Sequence, residues 1–216
     1  MFAPNLHSNT NFPAPLSVLG FLAGAAVCAL GLLTIGIALF SGKRQLARLC
    51  AQVLGVTALF YFALLFGFSL SSHATVLARG QEKYFCEIDC HLAYSVQNVE
   101  SFPGHGTTIY AVTLQTRFDE STISASRPKD APLEPNPREV ELVDDQGREF
   151  SASTRSGTDL HERLRPGDRY TTRVEFRVPA DAHGLRLLLR TPPAWPDHFV
   201  IGDENSLAHA KTYFAI

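Results

Sequence analysis

Two long stretches without a charged side chain constrain this sequence more than any other feature. Residues 16–40 form an uncharged run of 25, and residues 49–70 a second of 22 in which only Gln52 is strongly polar. About 20 apolar residues at a rise of 1.5 Å cross a hydrocarbon core roughly 30 Å thick. Both runs are therefore expected to be membrane-spanning helices. A cleaved signal peptide fits the first run poorly: the short N-terminal segment 1–15 holds no Lys or Arg, and the run exceeds the usual apolar length of about 7–15 residues. Between the runs, residues 41–48 contain Lys43, Arg44 and Arg48. An excess of positive charge marks cytoplasmic loops, so the expected topology is a two-helix hairpin in the cytoplasmic membrane. Its N-terminus and everything after residue 70 would lie outside the cytoplasm, in the periplasm of a bacterium with a double membrane. Gly20 with Gly24 and Ala63 with Gly67 are small pairs that would let the two backbones approach closely, although both residue types are common in membrane helices anyway. With no Asp, Glu, Lys, Arg or His inside either run, a proton relay is not expected. The hairpin reads as an anchor, with the lipid bilayer as its first partner.

Charge divides the chain at the same place. All 21 acidic residues lie at or after Glu82, and the 19 basic residues include only Lys43, Arg44 and Arg48 before Arg79. The part from Arg79 onward thus carries 16 basic against 21 acidic residues, a net of 16 − 21 = −5 within a total of −2. This pattern argues against a wholly soluble protein, a disordered chain and a basic nucleic-acid binder.

After a linker, 71–83, the domain 84–216 reads as all-β. In residues 170–178, Tyr170, Thr172, Val174, Phe176 and Val178 alternate with Thr171, Arg173, Glu175 and Arg177, the period-2 pattern of a half-buried strand. Residues 139–143 and 148–150 flank Asp144-Asp145-Gln146-Gly147, a hairpin with Gly where a positive φ is needed. Further strands are expected at 91–99, 107–118, 185–190 and 211–214. Several short strands separated by turn signals predict a β-sandwich of immunoglobulin-like topology. Residues 124–138 contain Pro128, Pro132, Pro135 and Pro137 and are expected to be an exposed loop.

The run Glu141-Leu142-Val143-Asp144-Asp145-Gln146-Gly147-Arg148-Glu149-Phe150, the turn Leu164-Arg165-Pro166-Gly167-Asp168 and the strand Val174-Glu175-Phe176-Arg177-Val178-Pro179 resemble the exported telokin-like, immunoglobulin-like domains of bacterial membrane proteins and lipoproteins. The resemblance covers residues 92–192. It implies a fold and a location, and it carries over no catalytic residue.

Cys86 and Cys90 are the most informative polar feature. Outside the cytoplasm, thiols tend toward disulfides or metals. In an extended strand, residues four apart sit roughly 13 Å from each other, beyond the about 7 Å that a bridge tolerates. A Cys86–Cys90 disulfide therefore requires a turn, loop or bulge at 87–89. The alternative is copper or zinc, or a redox dithiol, at Cys86, Cys90 and His91, with Glu87 and Asp89 nearby, because soft thiolates select Cu(I) and Zn. The layout of hairpin plus exported sandwich is similar to that of cytochrome oxidase subunit two. Tyr94, however, stands where that copper site would have a His, and the only Met is Met1. His105, in Pro103-Gly104-His105-Gly106, and Trp195, flanked by Pro192, Pro193 and Pro196, are candidate interaction residues. For Trp195 the simpler expectation is that it covers one end of the sandwich. The pairs Asp144-Asp145 and Asp203-Glu204 are expected in solvated turns. No G-x-S-x-G elbow, P-loop or G-x-G-x-x-G run is present, so no enzymatic activity and no resident cofactor are expected. The expected role is a non-enzymatic binding module facing an envelope protein partner, with the copper, zinc or thiol-redox accessory role as the alternative.

Overall fold

A computed structural model of the chain describes residues 7–86, 89–124 and 127–216. They form two compact units. One contains residues up to Thr10, His73–Pro193 and Lys211–Ile216; the other contains Asn11–Ser72 and Ala194–Ala210.

The second unit is built on two helices, α1 (Ala14–Phe40) and α2 (Arg44–Ser71). Pro15 stands in the first turn of α1, where a missing N–H costs nothing. Apart from the first turns of α2, with Arg44, Gln45 and Arg48, the helices are apolar along their length. Leu30, Leu33, Val56 and Leu59 are each more than half exposed, and both helices are long and apolar enough to cross a membrane. Their contact differs from the expected small-residue pairs. Gly24 faces the Tyr61 ring and Gly31 faces Leu54, whereas nothing lies within 4 Å of a side chain placed at Gly20 or Gly67. Glycine here makes room for large residues of the facing helix, and the two backbones do not meet glycine to glycine.

The first unit is a β-sandwich. One sheet has the order β1 (His7–Ser8), β3 (Lys83–Phe85), β4 (Leu92–Pro103), β5 (Thr107–Phe118), β9 (Arg169–Pro179) and β8 (Thr154–Gly157). The other runs β2 (Thr75–Leu77), β11 (Thr212–Ala215), β10 (Arg186–Arg190), β6 (Glu139–Val143) and β7 (Glu149–Ser151). The β1–β3 and β2–β11 pairs are parallel, and the remaining pairs are antiparallel. Alternation along β9 works as the sequence predicts: Val174, Phe176 and Val178 have no exposed surface. They meet Tyr94, Val96, Val112, Leu114 and Phe118 of their own sheet and Leu77, Val140, Leu142, Leu187, Leu189 and Phe214 of the other. Burying each large apolar side chain contributes about 1.5–3 kcal/mol, so this double layer dominates the stability of the unit.

Three expectations need correction. The segment 71–83, read as a linker, holds β2 and the first residue of β3, because these short pieces gain their hydrogen bonds from β11 and β4. Asp144 does not lie in a solvated turn. It is fully enclosed and accepts from the backbone N–H of Gln146 and Arg148 and from Arg148 Nε at 2.6 Å. That set of donors fixes the β6–β7 hairpin, with Gly147 at φ +78°. Glu204 is likewise buried. In the loop 124–138, Leu133 forms an antiparallel bridge with Leu164, while Pro135 and Arg138 are buried. The loop is therefore seated on the sandwich along part of its length.

Candidate functional site

The cysteine pair follows β3. Cys86 and Cys90 are joined by a disulfide with their Cα atoms 4.3 Å apart, well inside the distance a bridge tolerates. Glu87 and Ile88 lie outside the described residues. The start of the loop is held by Asn9, whose side-chain oxygen accepts from Cys86 N–H at 2.7 Å. Bonded to each other, the two sulfurs offer no thiolate to copper or zinc. Among the described residues, no group of three or more His, Cys, Asp or Glu side chains is placed to hold a metal ion.

His91 closes the loop and leads into β4. Its ring lies flat on Phe118, with centroids 5.3 Å apart at 21°, and is almost fully buried. Both ring nitrogens are engaged: Nδ1 with Thr122 Oγ1 at 2.6 Å and Nε2 with Asp89 Oδ2 at 2.9 Å. Burial holds the imidazole pKa below its ordinary value, against the pull of the Asp89 carboxylate. The Thr122 hydroxyl also donates to the Asp119 carbonyl at 2.6 Å, so which tautomer satisfies both ring nitrogens depends on where that single hydroxyl hydrogen points. Asp89 also receives Arg127 at 3.4 Å. His91 is thus a buried connector between loops.

Thr122 belongs to a 3-10 turn, Glu120–Thr122, capped by Asp119, and Asp119 links His91's surroundings to a polar network on the outer face of the first sheet. Arg117 makes two bonds of 2.7 Å to the Glu82 carboxylate and one of 2.9 Å to the Tyr84 hydroxyl. Tyr84 in turn donates to Asp119 Oδ2 at 2.6 Å. Burial alone would raise the Asp119 pKa, but hydrogen bonds from Tyr84, Ser121 and Arg117 prevail and bring it down to about 2. For Tyr84, burial and the hydrogen bond to Asp119 push the phenol upward. Fixed charges that are already paired position the loop ends.

A cleft of about 140 Å³ opens beside His91, lined by Phe85, Asp89, Leu133, Glu134, Asn136 and Arg138 among others. Two cations flank its aromatic floor. Arg138 stacks over Phe85 at 4.2 Å and Lys83 Nζ lies 5.0 Å from the same ring. Lys83 is fully buried between the sheets and donates to the carbonyls of Leu189 at 2.7 Å and Thr212 at 3.2 Å. Pockets for small substrates usually measure about 300–1,000 Å³. This cleft has room for one side chain.

The remaining candidates lie elsewhere. His105 is exposed at the tip of the β4–β5 hairpin. Leu92 pairs with Phe118 at one end of that hairpin and Pro103 with Thr108 at the other, so at about 3.3 Å per residue His105 lies roughly 35 Å from the disulfide. Trp195 belongs to the helical unit, begins a 3-10 turn, Trp195–Phe199, is 74% exposed and packs edge-on against Phe199.

The sequence reading overlooked Glu82, Tyr84, Arg117 and Asp119. Alternation along β5 places Arg117 on the polar face, which was a usable signal. Its partners, 33 and 35 residues earlier on the chain, carry no local signature.

No protein-family model and no curated protein matches this chain. Among solved structures, it is similar to an uncharacterised β-sandwich protein from Clostridium difficile, at 10% identity and a TM-score of 0.39, over 67% of this chain and 95% of that one. It is also similar to a conserved hypothetical protein from Bacillus anthracis, at 11% identity and a TM-score of 0.33, over 46% of this chain and 81% of that one.

Proposed function

We propose that this chain is a membrane-anchored protein that displays an immunoglobulin-like β-sandwich outside the cytoplasm and acts there as a non-enzymatic interaction module of the cell envelope. The observation that carries the reading is the state of the chemistry-bearing side chains. The cysteines are bonded to each other, both nitrogens of His91 are engaged, and the adjoining cleft is the size of a single side chain. Such a site suits a projecting residue of another protein. The location draws support from three features: the disulfide, which suits an oxidising compartment; the basic turn at Lys43 and Arg44; and the pairing of β1, which precedes α1, with β3, which follows α2. That pairing fits a hairpin whose two flanks lie on the same side of the membrane.

A photo-crosslinking side chain at Glu134, on the cleft rim, tests the binding role in intact cells, with the same probe at exposed Arg155 as the control. A discrete adduct from position 134 alone is expected; identical patterns from both positions would count against the module. A reporter enzyme that is active only outside the cytoplasm, fused after Ile216, tests the location separately.

A further inference from the structure

We infer that the segment Ala194–Ala210 is an interfacial element of the membrane, with Trp195 seated at the boundary between headgroups and acyl chains in the leaflet where the chain enters α1 and leaves α2. This rests on the proposed reading of α1 and α2 as membrane spans and assigns a lipid contact to a part of the chain outside both helices.

The helix lengths give the first argument. α2 has 28 residues, about 42 Å at 1.5 Å each, against a hydrocarbon core of roughly 30 Å. With Arg48 at one polar boundary, 30 Å corresponds to about 20 residues and sets the other boundary near Phe68. The segment reaches lower than that. The Tyr61 hydroxyl donates to the carbonyl of Phe199 at 2.6 Å, and the Phe199 ring meets Phe62 with centroids 6.4 Å apart. Tyr61 and Phe62 lie roughly 10 Å below Phe68 along the axis, the depth to which interfacial elements sink.

The second argument is where the backbone hydrogen bonds go. Irregular backbone survives near lipid only when protein satisfies it. Ser17 Oγ donates to the Ile201 carbonyl, Asn11 N–H to that of Gly202 and Ser206 Oγ to that of Val200. Together with Tyr61 on Phe199, four consecutive carbonyls have protein donors, a pattern that a loop bathed in water does not need.

The third is aromatic continuity. From Trp195 the rings run to Phe199, then Phe62, then Phe66, and Trp195 alone stands largely free of protein. Tryptophan concentrates at the membrane interface because its ring is apolar while its N–H seeks headgroup oxygens. Water would leave this ring surface without an apolar contact; the lipid boundary provides one.

Trp195 is the only tryptophan, so the emission of the full chain reports this position alone. The experiment places the purified protein in lipid nanodiscs, with incorporation scored by co-elution, and quenches its emission with lipids brominated near the headgroup end or near the methyl end of the acyl chain, or with aqueous iodide. W195F supplies the blank. The expected result is loss of most of the emission with bromine near the headgroup end, less with bromine near the methyl end, and little with iodide. Strong iodide quenching with no effect of either brominated lipid, in protein that co-elutes with the discs, would overturn the inference while leaving the anchor standing. Protein that fails to enter the discs would overturn both.

Discussion

Tyr84 Oη and Arg117 Nη2 converge on one carboxylate oxygen, Asp119 Oδ2, at 2.6 and 3.2 Å. The oxygen is largely shielded from water, so each donor replaces a solvent hydrogen bond that folding removed. Hydrogen bonds to charged groups contribute about 1.5–3 kcal/mol. Y84F is therefore expected to lower the unfolding free energy by about that amount, read from thermal unfolding followed by near-ultraviolet circular dichroism. A melting temperature equal to that of the wild type would mean that Arg117 and Ser121 satisfy the carboxylate unaided.

The same carboxylate sets an acid limit. Its pKa falls from 3.8 to about 2 on folding, so the folded state holds the proton less tightly than the unfolded one. The stabilisation is complete above 3.8 and is lost as pH falls through about 2. The wild type is expected to lose stability more steeply across that window than D119N does, and parallel curves would contradict the assignment.

His91 has the same sign at a higher pH. Burial holds its folded pKa below the ordinary 6.5, so its contribution is present above 6.5 and is lost as pH drops toward the folded value. Asp89, which favours the cation, opposes the shift. An imidazole NMR titration should show His91 titrating below 6.5 and moving lower still in D89N. A shift upward in that variant would disprove the Asp89 contact.

The disulfide closes a short loop, and a bridge of that span stabilises by about 2 kcal/mol on a chain-entropy estimate. Replacing Cys86 and Cys90 together with Ser should destabilise the protein by that order, measured by chemical unfolding. Thiol titration with metal analysis addresses copper, zinc and redox roles directly. A pair that takes up stoichiometric metal, or that is reduced in the native protein, would revive the accessory reading.

Gly202 ties its segment to the residues preceding α1. It has φ +73°, and a side chain there would come within 2.9 Å of Phe12 N. The left-handed conformation costs other residues about 1–2 kcal/mol, and backbone contact adds to that. G202A should therefore open Ala194–Ala210 to limited proteolysis while β5 and β9 remain protected. A digestion pattern like that of the wild type would show that the segment adapts.

The parts of this molecule legible in the sequence are those whose pattern is local. β5 and β6 begin and end at the expected residues because apolar and polar positions alternate through them, and Gly147 adopts the positive φ that its hairpin asks for. β1, β2 and β3 escaped notice because two or three residues carry no period; they are strands only through partners far along the chain. β8 is exposed throughout and so has no apolar face to read. The surroundings of Trp195 were illegible for a related reason. A proline-flanked segment has no period, and nothing near it in sequence points to Tyr61 or Ser17. At the candidate site, the disulfide's need for a compact turn followed from strand geometry, whereas the grip of Thr122 and Asp89 on His91 depends on loops that only the fold assembles.

The pairing of His7 with Lys83 and of Ser8 with Tyr84 has a consequence for biogenesis. The edge of the first sheet comes from residues made before the hairpin, and its neighbour from residues made after it. The first sheet therefore cannot be completed until the chain has passed through both helices and returned, so closure of that edge is a late event that couples the two ends of the helical pair.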